Sequence, residues 1–298
     1  FKDWSNKLIE LSDSKILKDE TEYWLSLAHF KISEISKDNF TGTNSAESAE
    51  TISAELDSHY TQLLLKEVPK AYNTQINDIL LTALVLSNFK WNGSQNIFIN
   101  LEGHGREDIA DSADVSRTIG WFTSIFPVLL KTDNPDEMGE TIKTIKETLR
   151  KIPNNGIGFG VLKYLSKDKS FTDKLRSIQK PEIVFNYLGQ INENVTDSSD
   201  WKLSKELIVL NQNKDGIREH LLEINSIISD NKLKIDFTFS KNIFNSETIK
   251  IFSNLYIEEL KNIIDHCTNE DTGGYTPSDF SAAGLDQQEL DNLLANLN

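Results

Sequence analysis

Residues 75–90, Gln-Ile-Asn-Asp-Ile-Leu-Leu-Thr-Ala-Leu-Val-Leu-Ser-Asn-Phe-Lys, carry a broad apolar stripe through Ile76, Ile79, Leu80, Ala83, Leu84 and Leu86. The helix this spacing predicts has to be deeply buried, and Asn92-Gly93 ends it. Strand-like runs follow at 96–101, 122–131, 182–188, 220–229 and 232–240, with helical patterns at 135–151, 158–166 and 246–266. The mixture predicts an α/β or α+β sandwich around a mixed sheet. Leu221–Ile228 and Leu233–Phe239, joined by Ser229-Asp230-Asn231-Lys232, read as an antiparallel hairpin. At 298 residues and 38% hydrophobic content, the chain can bury the core of one large domain or two lobes.

Upstream of the buried helix, residues 3–30 predict two packed helices, with Trp4, Leu8, Leu11, Tyr23, Trp24 and Leu27 on recurring apolar faces. Residues 33–50 are polar and read as an exposed connection, so the main boundary is placed there. Thr51–Leu56 alternates like a strand, and Asp57 is suited to cap a helix reaching Lys66. The chain therefore divides into 1–45, a main unit 46–270, and a tail 271–298. The tail begins at Asp271-Thr272-Gly273-Gly274, passes through Thr276-Pro277-Ser278-Asp279-Phe280 and ends in an acidic amphipathic segment, Leu285 to Leu297. It is either a linker or docking element, or a final helix packed through Leu290, Leu293, Leu294 and Leu297.

A net charge of −15 argues against nucleic acid or an anionic membrane as partner. No apolar stretch approaches the roughly 20 residues that span a bilayer. The single cysteine, Cys267, has no internal disulfide partner, which fits a reducing cytoplasm. Phe1-Lys2-Asp3-Trp4 is no signal peptide and lacks an initiator methionine, so the chain is expected to begin inside a longer polypeptide.

Four segments break the regular patterning with glycine, aromatic and polar residues together: Glu102-Gly103-His104-Gly105-Arg106-Glu107, Arg117–Pro127, Pro153–Gly160 and Phe185-Asn186-Tyr187-Leu188-Gly189-Gln190. A metal site at His104 finds no support, because His29, His59, His220 and His266 lack ligand-like spacing. Gly156-Ile157-Gly158-Phe159-Gly160 opens a helix that could receive an anion, yet it fits no phosphate-loop pattern; a close helix–strand approach explains the glycines as well. No GxSxG nucleophile elbow occurs. Glu102, emerging at the end of a strand, remains as a general acid–base group or as a structural ion-pair partner of an arginine.

Taken in order, the four segments resemble the signature motifs of epimerization domains of non-ribosomal peptide synthetases, members of the condensation-domain superfamily. Asn77–Leu84 resembles a fifth motif, and Tyr275–Phe280 resembles the linker that follows such domains. The resemblance runs over about residues 1–285. It implies a two-lobed chloramphenicol-acetyltransferase-like fold, of which this chain would be mostly the C-terminal lobe, with residues 1–45 ending the N-terminal lobe and crossing over. It also implies inversion at the Cα of an aminoacyl or peptidyl thioester by acid–base proton transfer. The substrate would be carried on the phosphopantetheine of the same module's peptidyl carrier protein, with no cofactor or metal bound by this chain. The tail could dock a downstream condensation domain.

On that resemblance Glu102 is the catalytic acid–base group. Asn186 and Tyr187 are candidates to bind the substrate or the developing enolate, although Tyr187 could equally be a core tyrosine. His104 and Arg106 would shape the loop with Glu107, Arg117 would pair with a nearby carboxylate, and Trp121 and Phe122 would wall the tunnel or join the core. The family's His-His-x-x-x-Asp-Gly motif, which supplies the opposing histidine, does not occur among these 298 residues. The fragment alone is therefore expected to be inactive. A condensation-type transferase and a non-catalytic carrier-binding lobe are the alternatives.

Overall fold

The computed structural model describes residues 1–30, 34–109, 114–191, 213–270 and 272–296. In chain order these form α1 (Lys2–Leu11), α2 (Lys15–Ser26), β1 (Ala49–Leu56), α3 (Ser58–Lys66), α4 (Val68–Tyr72), α5 (Ile76–Asn92), β2 (Asn96–Gly103), β3 (Ser124–Lys131), α6 (Met138–Arg150), α7 (Ile157–Tyr164), α8 (Lys169–Ser177), β4 (Ile183–Gln190), β5 (Leu222–Ser229), β6 (Lys232–Ser240), α9 (Ser246–Cys267) and α10 (Gln287–Ala295). The strands build one mixed sheet in the order β1-β6-β5-β4-β2-β3. Its centre, β5-β4-β2, is parallel, and its flanks are antiparallel.

Strict alternation decides which face is buried. Along β5 and β6, Leu222, Ile224, Ile228, Leu233, Ile235, Phe237 and Phe239 are all enclosed, and every one of them points to the same side. That side is covered by α5 and α9. Phe237 meets the rings of Phe252 and Tyr256 edge-on, and the Tyr256 hydroxyl donates to Leu80 O at 3.0 Å. The expected burial of α5 is met in full, since every residue from Asp78 to Asn88 is enclosed. Its buried carboxylate, Asp78, accepts two hydrogen bonds from Arg150 of α6, at 3.0 and 2.7 Å.

The hairpin forms as expected. Asp230 and Asn231 take the left-handed conformation (φ 54° and 60°), which suits the twist of a two-residue connection. Asp57 caps α3 by accepting from Tyr60 N at 3.0 Å. Strands predicted from 122 and 220 begin two residues later, and α4 and α8 are elements the periodicity did not foresee.

Both N-terminal helices form, and their aromatic residues join the same apolar cluster as the sheet and α9. The connection is stitched to the main unit: Asn39 N donates to Ile243 O at 2.9 Å, and Asn44 Nδ2 donates to His220 O at 2.8 Å. In the tail, Pro277–Phe280 forms a short turn against α6, and Leu290 of α10 is buried. Asp271, Leu297 and residue 33 lie outside the described residues.

Candidate active site

The sheet face opposite α5 and α9 is polar toward the carboxyl end of β2. By register, Asn100 lies beside Val184 and Glu223, while Asn186 lies beside Asn225, so their side chains share one face with Glu102. Glu102 is half-buried there, and its Oε2 accepts a hydrogen bond from Asn186 Nδ2 at 2.9 Å. The structure thus joins two motifs 84 residues apart. Among the described residues no arginine or lysine pairs with Glu102, which removes the structural ion-pair reading.

Burial raises the Glu102 carboxyl above its ordinary value, and the charge of Glu223 adds to the shift. Both causes disfavour the anion, the direction a general base needs to approach neutral pH. Glu223 is itself held by Arg218, at 2.9 Å from Nη2, and that guanidinium also donates to Thr238 O at 3.0 Å. The charge next to Glu102 is therefore fixed in place.

Arg106 organises the loop beyond the site. Its guanidinium donates to the carbonyls of Val115, Thr118 (2.9 Å) and Gly120 (3.4 Å), and lies 4.0 Å from the centre of the Phe122 ring. His104 is exposed, its Nδ1 accepts from Arg106 N at 3.0 Å, and its Nε2 lies 3.3 Å from Glu107. Glu107 also accepts from Asn155 Nδ2 at 2.7 Å. Gly105 has φ 66°, and a Cβ there would stand 1.7 Å from Phe122 O. Only glycine permits that approach.

Other expected residues fall elsewhere. Arg117 is exposed and has no ion pair among the described residues, so the anticipated carboxylate partner is not met. Trp121 is 82% exposed and belongs to neither core nor cavity wall, because β3 starts only at Ser124 and strand alternation does not reach it. Phe122 is the enclosed member of that pair. Tyr187 points away from Glu102, pairs in register with Ser226 and packs against the apolar cluster, where burial raises its hydroxyl. The Pro153–Gly160 segment turns through three left-handed residues, Asn154, Asn155 and Gly156. A Cβ on Gly156 would lie 2.1 Å from the Phe126 ring, so close packing accounts for that glycine.

Over β2 and β3 opens a cavity of about 720 Å³, lined by Asn100, Ile125 and Pro127, by Trp4, Phe122 and Phe159, and by the charged Lys180 and Glu219. Ile125 and Pro127 are the cross-strand neighbours of Glu102 and Asn100. The cavity therefore reaches the strand neighbours of Glu102, while the Glu102 side chain itself is not part of its lining. Sequence reading overlooked Asn100, although the two-residue period placing it on Glu102's face was available. It also set aside His220, whose Nε2 lies 2.8 Å from Asn100 Nδ2; nothing in its spacing announced that contact. No group of three or more His, Cys, Asp or Glu among the described residues could hold a metal, and no described helix is long and apolar enough to cross a membrane.

The condensation-domain family model matches residues 1–285. A linear gramicidin synthase of Brevibacillus parabrevis is 42% identical over 294 residues, 98% of this chain and 4% of the relative. Gramicidin S synthase 1 of Brevibacillus brevis is 39% identical, over 98% of this chain and 27% of the relative. The chain thus spans a small part of these relatives. The crystal structure of the epimerization domain from the third module of tyrocidine synthetase B superposes with a TM-score of 0.84 at 36% identity, covering 90% of this chain and 60% of that one. A condensation domain from Monacolin K polyketide synthase, 14% identical with a TM-score of 0.66, shares the fold over 90% of this chain and 62% of its own. The mixed sheet and its helices are those of the chloramphenicol-acetyltransferase-like architecture. The chain belongs to the condensation-domain family.

Proposed function

We propose that this chain is part of an epimerization domain of a non-ribosomal peptide synthetase, inverting the Cα of an aminoacyl or peptidyl thioester. The observation that carries the reading is Glu102: a carboxylate raised by burial, steadied by Asn186 and free of a described cationic partner. The similarity to an epimerization domain at 36% identity supports it, against 14% for the condensation domain.

In this reading the substrate arrives on the phosphopantetheine of a carrier protein, in the cytoplasm, and its Cα–H stands over β2 beside Glu102. The thioester carbonyl accepts the charge left when Glu102 takes the proton. Asn186 holds the carboxylate and limits its rotation, so little reorganisation is needed at the moment of transfer. A proton returns to the other face from an opposing acid. No adjacent histidine pair that could supply this acid occurs in these 298 residues. A following condensation domain is a proposed partner, met through the tail.

The test is chiral analysis of a carrier-loaded L-substrate after incubation with the full-length domain. D-product without peptide-bond formation is expected. Peptide bond formation would establish the condensation alternative, and carrier binding with neither reaction would establish a non-catalytic lobe.

A further inference from the structure

Asn100, which lines the cavity, forms a polar pair with the buried His220 that the proton transfer leaves unused. Asn100 stands two residues before Glu102 on the same face of β2, about 6–7 Å away along the strand. With the Asn100 amide nitrogen facing His220, the 2.8 Å contact between Nδ2 and Nε2 requires a neutral imidazole that accepts at Nε2 and carries its proton on Nδ1. His220 is 7% exposed, and its backbone carbonyl is held by Asn44. The amide nitrogen is thus engaged, Asn100 lines the cavity, and its Oδ1 accepts from no described residue.

We infer that Asn100, oriented by His220, is a substrate-positioning residue whose Oδ1 accepts a hydrogen bond from an N–H of the thioester-bound substrate. The inference rests on the epimerase reading of Glu102 and adds the group that orients what Glu102 deprotonates. The α-nitrogen is bonded to the carbon that loses its proton, so it is the donor nearest to Glu102 and within reach of the next residue along the same strand face. Around Asn100 the lining mixes apolar residues, Ile125, Pro127 and Ile178, with the charged Lys180 and Glu219.

The orientation depends on the charge of His220. A protonated imidazole donates from both nitrogens. The Asn100 amide would then have to turn its oxygen to His220 and its NH₂ to the cavity, exchanging an acceptor for a donor. Burial lowers the His220 pKa, against the opposing pull of Glu219 and Glu223, while Arg218 and Lys180 lower it further. Glu182, whose carbonyl meets the backbone beside His220, is neutralised by Lys37 at 2.6 Å. The net balance holds the His220 pKa below its ordinary value, which favours the neutral ring that the contact with Asn100 requires.

The test is steady-state inversion by the intact domain on carrier-loaded substrate, as kcat and KM against pH. Asn100→Ala is expected to raise KM about tenfold, the weight of one hydrogen bond, with the pH profile of kcat unchanged. In the unsubstituted protein KM is expected to rise on acidification through the His220 titration. His220→Gln, whose side-chain oxygen still accepts from Asn100, should keep a low and pH-independent KM, and His220→Leu should match Asn100→Ala. An unchanged KM in Asn100→Ala, or the same pH dependence of KM in His220→Gln and the unsubstituted protein, would overturn the inference. Full inversion by Glu102→Gln would instead overturn the epimerase reading, so the two failures are distinguishable.

Discussion

Lys146→Met should release the tail from the domain. Lys146 lies on α6 with its side chain 1% exposed, and its Nζ sits 2.7 Å from both carboxylate oxygens of Asp279, itself 6% exposed. The ammonium also donates to Tyr72 O at 2.8 Å. Burial alone would raise the Asp279 carboxyl, but Lys146, Thr276 and Asn73 together hold it below its ordinary value. Removing one partner of an enclosed ion pair costs about 3–5 kcal/mol because the other charge is left without compensation. The lower end applies here, since Asn73 Nδ2 (2.7 Å) and Thr276 N (2.8 Å) continue to donate to Asp279. A loss of about 3–4 kcal/mol in the opening free energy means a fall of about 10²–10³-fold in amide protection. Hydrogen exchange followed over residues 272–281 measures it, with the β5–β6 hairpin as an internal reference. Asp279→Asn in the Lys146→Met background should recover part of the loss, because the unpaired buried charge is then gone. A depressed carboxyl stabilises above its ordinary range, so docking should also weaken as pH falls through the lowered Asp279 value. Unchanged protection of 276–280 in Lys146→Met would refute the reasoning.

Arg106→Ala should free the 114–122 loop, seen as faster proteolysis there, and cost about 2–3 kcal/mol in urea unfolding for its charge-assisted bonds to carbonyls; Arg106→Lys should recover only part, lacking the planar fork. Gly156→Ala, at φ 82° and 2.1 Å from the Phe126 ring, should destabilise by more than about 2 kcal/mol in the same assay. The inversion rate should rise with pH through a Glu102 value raised from its ordinary one, and Glu223→Gln should move that limb downward by removing one of its two causes. The same raised carboxyl contributes to stability below its ordinary value and loses that contribution as pH rises through the folded value, which melting temperature against pH will read.

What could be read in advance follows the physics of each element. The β5–β6 hairpin was legible because alternation and a two-residue turn are local properties, and α5 because a stripe that wide admits only burial. Helix α8 escaped because only Phe171, Thr172 and Leu175 of its nine residues are buried, too few for a periodic signal. Its cap was nevertheless present, since Asp168 accepts from Ser170 N and Phe171 N. Trp121 and Phe122 show that aromatic content does not reveal which neighbour turns inward once the strand has ended. Within the site, the motifs of Glu102 and Asn186 were both visible, but their contact depends on β4 pairing with β2 rather than with β3, its nearer neighbour in the chain. That strand order is a tertiary outcome. His220 was inaccessible for the same reason, because Asn100 lies 120 residues away from it in sequence.

The central claim is that Glu102 moves the substrate's α-proton, and the most direct measurement is exchange of that proton with deuterated solvent in the full-length domain carrying Glu102→Gln. The amide keeps the size of the side chain and its bond to Asn186 through Oε1, so melting temperature and carrier-protein binding should be retained. Exchange and inversion should fall by about 10²–10⁴-fold, the usual weight of a positioned acid–base group. Exchange at the rate of the unsubstituted domain would contradict the account.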